Sequence, residues 1–308
     1  MPVCFDIGGT HIRCGWPVAL GDVPIAAQCP TPRDSLDEFI DAMVSMVAKA
    51  PAAQRDFVAI SIAGFANPET GALTIANIEC LKGVDLATKL EQRVNIPVLV
   101  ANDADCLALA EAKAGVAQGS GNVLAIVLGT GVGGGIVING EIVTGYGGIS
   151  GEWGHGPVVD PTAGGLVEHM GYFQCGCGQK GCLDTVGGAR GIENVHQALT
   201  GEPIDAETVL ERWRAGDEKA TKSIEVSAEM VARVLSTFIN ALGPSCVPVG
   251  GGLAHAQDLV AHIDKRVRTM VLSNYEQPLV VPAQHLKNAG LVGASFLRPP
   301  ESKMRGVA

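Results

Sequence analysis

Two short stretches of this chain share one design. Val3-Cys4-Phe5-Asp6-Ile7 runs into Gly8-Gly9-Thr10 and then His11-Ile12-Arg13-Cys14-Gly15, while Val123 to Leu128 runs into Gly129-Thr130-Gly131 and then Val132 to Ile138. Each reads as an apolar strand, a Gly/Thr turn and a second apolar strand. Glycine in such a turn admits positive φ and lets backbone N–H groups approach a ligand with no Cβ in the way. Plain tight hairpins also use glycine. Two of them in two similar halves, however, predict two lobes that clamp a nucleotide phosphate chain. Asp6, Gly8, Gly9 and Thr10 are the candidates on one side, and Thr130, Gly131, Val132, Gly133 and Gly134 on the other. Gly129, Gly131 and Gly134 also match G-x-G-x-x-G, but a dinucleotide fingerprint must open a helix. Here Gly135-Ile136-Val137-Ile138 continues as a strand, and Asn139-Gly140 signals a type I′ turn into Glu141-Ile142-Val143.

Helices separate the strands. Ser35-Leu36-Asp37-Glu38 reads as a capping box, and Leu36, Phe39, Ile40, Met43, Val44 and Val47 repeat at helical spacing until Pro51. Phe57 to Ile62 and Val98 to Ala101 read as strands, the second ending at Asn102-Asp103-Ala104-Asp105 before a helix from Cys106 to Ala117. Such alternation predicts α/β layers, with Gly119-Ser120-Gly121 as the boundary between lobes. Asp217 to Leu242 is one long amphipathic helix stopped by Gly243-Pro244. A short strand then meets Gly250-Gly251-Gly252 and a helix from Ala256. A strand, a glycine turn and a helix N-terminus make a natural site for a nucleoside or phosphate, so Gly251 and Gly252 join the candidates. Ala289 to Leu297 looks helical, and the last residues look frayed. Asp103 lies at a strand's C-terminal end, where open α/β sheets gather ligands. It could equally cap the following helix, as could Asp105. Asp6 could hold Mg²⁺ through water or bond the amides of its turn.

The composition bounds the alternatives. At 308 residues, 47% hydrophobic and only 18% charged, the chain has a large core in one large or two moderate domains. A net charge of −10 argues against a nucleic-acid partner held through phosphates. No apolar run approaches membrane-spanning length, and Pro2 to Asp6 reads as a strand start rather than a signal peptide. Nine cysteines, an odd count with no export signal, point to a reducing cytoplasm. Three of them, Cys175, Cys177 and Cys182, form a C-x-C-x4-C run that can supply three ligands to one zinc ion. His155 is the best placed fourth ligand, and His169, in the apolar context LVEHMGYF, is its rival. Four protein ligands leave no open position, so the metal is expected to be structural.

Taken together, Phe5-Asp6-Ile7-Gly8-Gly9-Thr10, Asn102-Asp103, Gly129 to Gly135, Gly151-Glu152-Trp153-Gly154-His155, the CGCGQKGC run, Gly250-Gly251-Gly252 and Gly290-Leu291-Val292-Gly293-Ala294 resemble the ROK family of sugar kinases. The resemblance implies an α/β, actin/hexokinase-like (ribonuclease H-like) two-lobed ATPase fold with its active site in the cleft between lobes. It implies a small lobe of residues 1–118 plus about 288–308 and a large lobe of 119–287, the latter carrying a zinc-binding segment at 155–182. It also implies ATP with Mg²⁺, a structural Zn²⁺ and a homodimer.

By motif, Asp103 matches the base that faces a sugar 6-hydroxyl, and Asn102, Glu152 and His155 match contacts to other sugar hydroxyls. Asn77 matches the asparagine that closes the sugar site from the first lobe, and Gly64 a nearby backbone contact. His155 would serve both shells, with one ring nitrogen on zinc and the other toward sugar. Two positions depart from the family pattern. His11 stands for the usual lysine, and Asp184 for the glutamate that contacts the anomeric end of the sugar, one methylene too short. The implied reaction is ATP-dependent phosphorylation of the 6-hydroxyl of N-acetyl-D-glucosamine, to which Thr31-Pro32-Arg33-Asp34-Ser35 also points. Glucose, N-acetylmannosamine and fructose are the alternative substrates. Outside enzymes, the alternatives are a sugar-binding regulator without a DNA-binding domain and a catalytically dead sugar binder. The family's repressors carry a helix-turn-helix before the first glycine turn, which begins here at Gly8.

Overall fold

The computed structural model describes residues 1–300, so the frayed end expected from the sequence lies outside the described residues. In chain order the strands are β1 (Pro2–Ile7), β2 (His11–Gly15), β3 (Ile25–Pro30), β4 (Phe57–Ile62), β5 (Gly64–Ala66), β6 (Leu73–Ile75), β7 (Val98–Asn102), β8 (Asn122–Leu128), β9 (Val132–Ile138), β10 (Glu141–Ile142), β11 (Val247–Gly250) and β12 (Val280–Pro282). The α-helices are α1 (Leu36–Lys49), α2 (Leu86–Val94), α3 (Asp103–Ala114), α4 (Asp184–Gly187), α5 (Ala189–Thr200), α6 (Ala206–Arg214), α7 (Glu218–Leu242), α8 (Gln257–Met270) and α9 (Ala289–Ser295). The chain forms two compact units. One holds Met1–Gly119, Gly140–Ser150 and the described residues 287–300, and the other holds Ser120–Asn139 and Gly151–Leu286. The sequence reading had put residues 140–150 with the second lobe.

In the first unit the sheet order is β3-β2-β1-β4-β7, with β1, β4 and β7 parallel and β1–β2 an antiparallel hairpin. All six residues of β4 are buried, as expected of a central strand covered on both faces. On one face, Phe39, Ile40, Met43 and Val47 of α1 pack with Phe5, Ile7, Ile60 and Ile62. On the other, Ala110 of α3 and Leu291, Val292 and Ala294 of α9 pack with Cys4 and Ala59. Helix α1 starts as its sequence dictates, because the Ser35 hydroxyl accepts from the Glu38 N–H at 3.3 Å.

In the second unit β8 is antiparallel to β9 and parallel to β11, which is parallel to β12. Helix α7 covers this sheet and buries Ile224, Val231, Leu235 and Ile239 in one core with Leu124, Ile126 and Val249. Full burial of each such side chain contributes about 2 kcal/mol. The Asp217 carboxylate caps α7 by accepting from the Ala220 N–H at 2.8 Å, and Gly243 ends it at φ 58°. Asn139 and Gly140 both have positive φ, 52° and 80°, as a type I′ turn requires. No helix among the described residues is long and apolar enough to cross a membrane.

Candidate active site and metal cluster

Three parallel strands of the first unit end side by side, because Ile7 pairs with Ile62 and Ile62 with Asn102. The Gly8–Thr10 turn, Gly64 and Asp103 therefore sit at one edge of one sheet. Asn102 organises that edge. Its Oδ1 accepts from the Ala104 N–H at 2.8 Å and the Asp105 N–H at 3.3 Å, and its Nδ2 donates to the Gly64 carbonyl at 3.0 Å. The cap of α3 is thus Asn102, neither Asp103 nor Asp105. Asp105 is buried, whereas Asp103 is the exposed first residue of the helix, its Oδ1 accepting from the Ala104 N–H at 2.9 Å. Asn77 is exposed beside the first glycine turn, its Cβ 3.2 Å from where a Cβ on Gly9 would stand. Thr31 braces the same turn, a role that the resemblance of Thr31-Pro32-Arg33-Asp34-Ser35 does not reveal. The Thr31 hydroxyl donates to the Gly8 carbonyl at 2.7 Å and its N–H to the Thr10 carbonyl at 3.0 Å.

Asp6, just before this turn, has its Oδ2 3.5 Å from Arg13 Nη1. Burial pushes its carboxyl above the usual carboxylate range, and Arg13 offsets only part of that effect. A carboxyl whose pKa is raised on folding weakens the fold once it ionises. That burden is complete above the raised value and absent below the unfolded value near 3.8. Asp6→Asn should therefore raise Tm at pH 7, with the gain fading toward pH 4. Calorimetry at both pH values checks this, and a lower Tm at pH 7 would show that Arg13 outweighs burial.

In the second unit the turn after β8 is held from several sides. The Gly129 N–H donates to the Gly131 carbonyl at 3.0 Å, the Ala189 N–H to Gly129 at 2.9 Å and the Arg190 N–H to Thr130 at 3.1 Å. Gly251, at φ 82°, lies behind it, and a Cβ there would come within 2.4 Å of the Leu128 carbonyl oxygen. Gly252 opens the next turn of chain, and Gly133 and Gly134 continue in β9. Asp184, read from its motif as a sugar contact, also reaches this turn. Its Oδ1 accepts from the Val132 N–H at 2.8 Å, and its own N–H donates to the Gly154 carbonyl at 2.9 Å.

The ligand atoms of His155, Cys175, Cys177 and Cys182 all lie within 4.8 Å of one another. His155 Nδ1 is 3.5 Å from Cys175 Sγ, and the Cys177 and Cys182 sulfurs are 3.6 Å apart. A tetrahedral zinc with ordinary Zn–S bonds has ligand–ligand edges of about 3.8 Å, so this S₃N set fits the ion. The Gly156 N–H donates to Cys182 Sγ at 3.3 Å, which offsets only part of the burial that holds this thiol above its ordinary value. A backbone hydrogen bond from Gln179 draws the exposed Cys177 thiol down to about 7, while burial pushes Cys175 up to about 12. The other ring nitrogen of His155, Nε2, is 3.8 Å from Glu152 Oε2, so one ring joins the cluster to an exposed carboxylate. His169 lies outside the cluster. Its Nδ1 accepts from the Gly171 N–H at 3.1 Å and its ring meets Tyr172 edge-on.

The model of the ROK family matches residues 2–300. The chain belongs to the ROK family. Among ROK relatives, the N-acetyl-D-glucosamine kinase of Photobacterium profundum is 33% identical over 295 residues, which covers 95% of this chain and 97% of that one. The structure of the ROK hexokinase from Thermus thermophilus matches at a TM-score of 0.81 and 28% identity, covering 94% of this chain and 95% of that one. A ROK family glucokinase from Streptomyces griseus, in complex with glucose and AMPPNP, matches at a TM-score of 0.70 and 30% identity, covering 94% and 96%. This ROK chain accordingly has the actin/hexokinase-like α/β fold.

Proposed function

We propose that this chain is an ATP-dependent sugar kinase that phosphorylates the 6-hydroxyl of N-acetyl-D-glucosamine, giving N-acetylglucosamine 6-phosphate and ADP. The observation that carries the reading is Asp103, an exposed carboxylate at the end of β7 whose capping duty is taken by Asn102. Phosphoryl transfer passes through a loose transition state, so catalysis rests on positioning and charge stabilisation, with Asp103 taking the hydroxyl proton late. Asn102, Asn77 and Gly64 of the first unit and Glu152 and His155 of the second are the proposed sugar contacts. Asp6, Gly8, Gly9 and Thr10, together with Thr130 to Gly134, Gly251 and Gly252, are the proposed nucleotide contacts, and ATP enters as its magnesium complex. Bound by His155, Cys175, Cys177 and Cys182, zinc would fix the segment that carries Glu152 and the His155 ring. A cytoplasmic homodimer is the assembly we expect.

The curated relatives support N-acetyl-D-glucosamine, and the glucokinase from Streptomyces griseus makes glucose the competing substrate. The two sugars differ at C2, where an acetamido group replaces a hydroxyl. A site built to hydrogen-bond the acetamide leaves polar groups unpaired with glucose, which is worth from about tenfold to 10⁴ in kcat/KM. A coupled ADP-release assay over a sugar panel, including N-acetylmannosamine and fructose, decides the substrate. We expect the highest kcat/KM for N-acetyl-D-glucosamine. An equal or higher value for glucose would make the chain a glucokinase, and no turnover of any sugar would remove the kinase reading.

A further inference from the structure

The turn after β8 is tethered by two backbone N–H groups, from Ala189 and Arg190, and by one side chain, Asp184. The Asp184 contact is close. A Cβ placed on Gly131 would lie 1.9 Å from Oδ1, so residue 131 has to be glycine while the carboxylate sits there. The carboxylate in turn is anchored by the metal-ligand segment. It follows Cys182 by two residues, its N–H donates to the Gly154 carbonyl at 2.9 Å, and its Oδ2 is 3.8 Å from Cys175 Sγ.

We propose that Asp184 is a positioning residue for the Gly129–Val132 turn, setting nucleotide affinity, and does not contact the sugar. The proposal rests on the reading of that turn as a phosphate-binding turn. A glutamate at 184 could extend past the turn; the aspartate, one methylene shorter, ends on the Val132 N–H. A turn held in one geometry before the nucleotide arrives binds it without first losing conformational freedom. The carboxylate's own charge works the other way, because it repels phosphate. Its benefit must therefore come from the hydrogen bond and not from the charge, and the two can be separated. Asparagine keeps an acceptor oxygen at the same length and drops the charge, whereas alanine removes both.

Calorimetric titration with MgADP, which needs no turnover, gives the nucleotide Kd, and the coupled assay gives the sugar KM. We expect Asp184→Ala to weaken MgADP binding about tenfold, as loss of one hydrogen bond would. Its sugar KM should stay within about twofold of wild type. Asp184→Asn should bind MgADP at least as well as wild type, and all three proteins should carry the same zinc content. A large rise in sugar KM with unchanged MgADP affinity would overturn the proposal and make Asp184 a sugar contact. Loss of zinc in Asp184→Ala, or an Asp184→Asn variant as weak as alanine, would overturn it as well. A wild-type chain that binds MgADP but phosphorylates no sugar removes the kinase reading alone and leaves the comparison of MgADP affinity and zinc content among the variants intact.

Discussion

Replacing Asp103 with asparagine lowers kcat at least about a hundredfold, the range for removing a positioned base. Sugar KM changes far less, because asparagine keeps the volume and the polar contacts of the ground state. The structure makes this a clean substitution. The start of α3 is capped by Asn102, so the helix does not depend on the Asp103 carboxylate, and the Ala104 N–H keeps an acceptor in either case. Tm should accordingly be unchanged while turnover collapses. Steady-state kinetics with saturating ATP measure it, and a variant that retains more than about a tenth of wild-type kcat would place the base elsewhere.

The second large effect concerns the metal. Purified protein should carry about one zinc per chain, as a closed four-ligand site implies. Cys177→Ser should lower zinc content and Tm together, since the binding energy of a structural metal is partly folding energy. Cys177 is the informative ligand to remove because it is exposed, whereas Cys175 and Cys182 are buried. Serine at 177 costs little packing, so the fall in Tm, about 10 °C or more, reports the metal. Metal analysis and calorimetry on the same samples decide it. A metal-free wild-type protein with unchanged melting would mean that the cluster is a set of ordinary thiols.

What the sequence made legible was local chemistry. Strands β1, β2, β8 and β9 with their glycine turns follow from short apolar runs and the residues between them. The cap at Ser35 follows from a side chain three residues from the N–H it accepts from, whereas Asp217, read as the first helical residue, is the cap of α7. The start of α3 was misjudged, at Cys106 where the structure has Asp103, because Asn102, Asp103 and Asp105 are all competent caps. What decides among them is which oxygen reaches two N–H groups, and that depends on where β7 delivers the chain. The choice of His155 over His169 was open for a similar reason: each lies near the cysteines in sequence, and only the fold brings Nδ1 of one against Cys175. Asp184 was beyond local reading, since its partner Val132 is 52 residues away. The grouping of residues 140–150 with the first unit is likewise a property of how the chain returns, which turn signals do not encode.

The common edge at which β1, β4 and β7 end also shapes how such a protein can change over generations. β4 is buried throughout, β1 nearly so and β7 half-buried, yet each hands over to a segment of its own: the Gly8 turn, the Gly64 loop and the start of α3. Drift in the loop that carries Asn77 leaves the backbone under Asp103 where it is. With Asn77 as the proposed sugar contact and Asp103 as the proposed base, a lineage could therefore exchange one hexose for another by loop substitutions while the transfer chemistry is inherited intact.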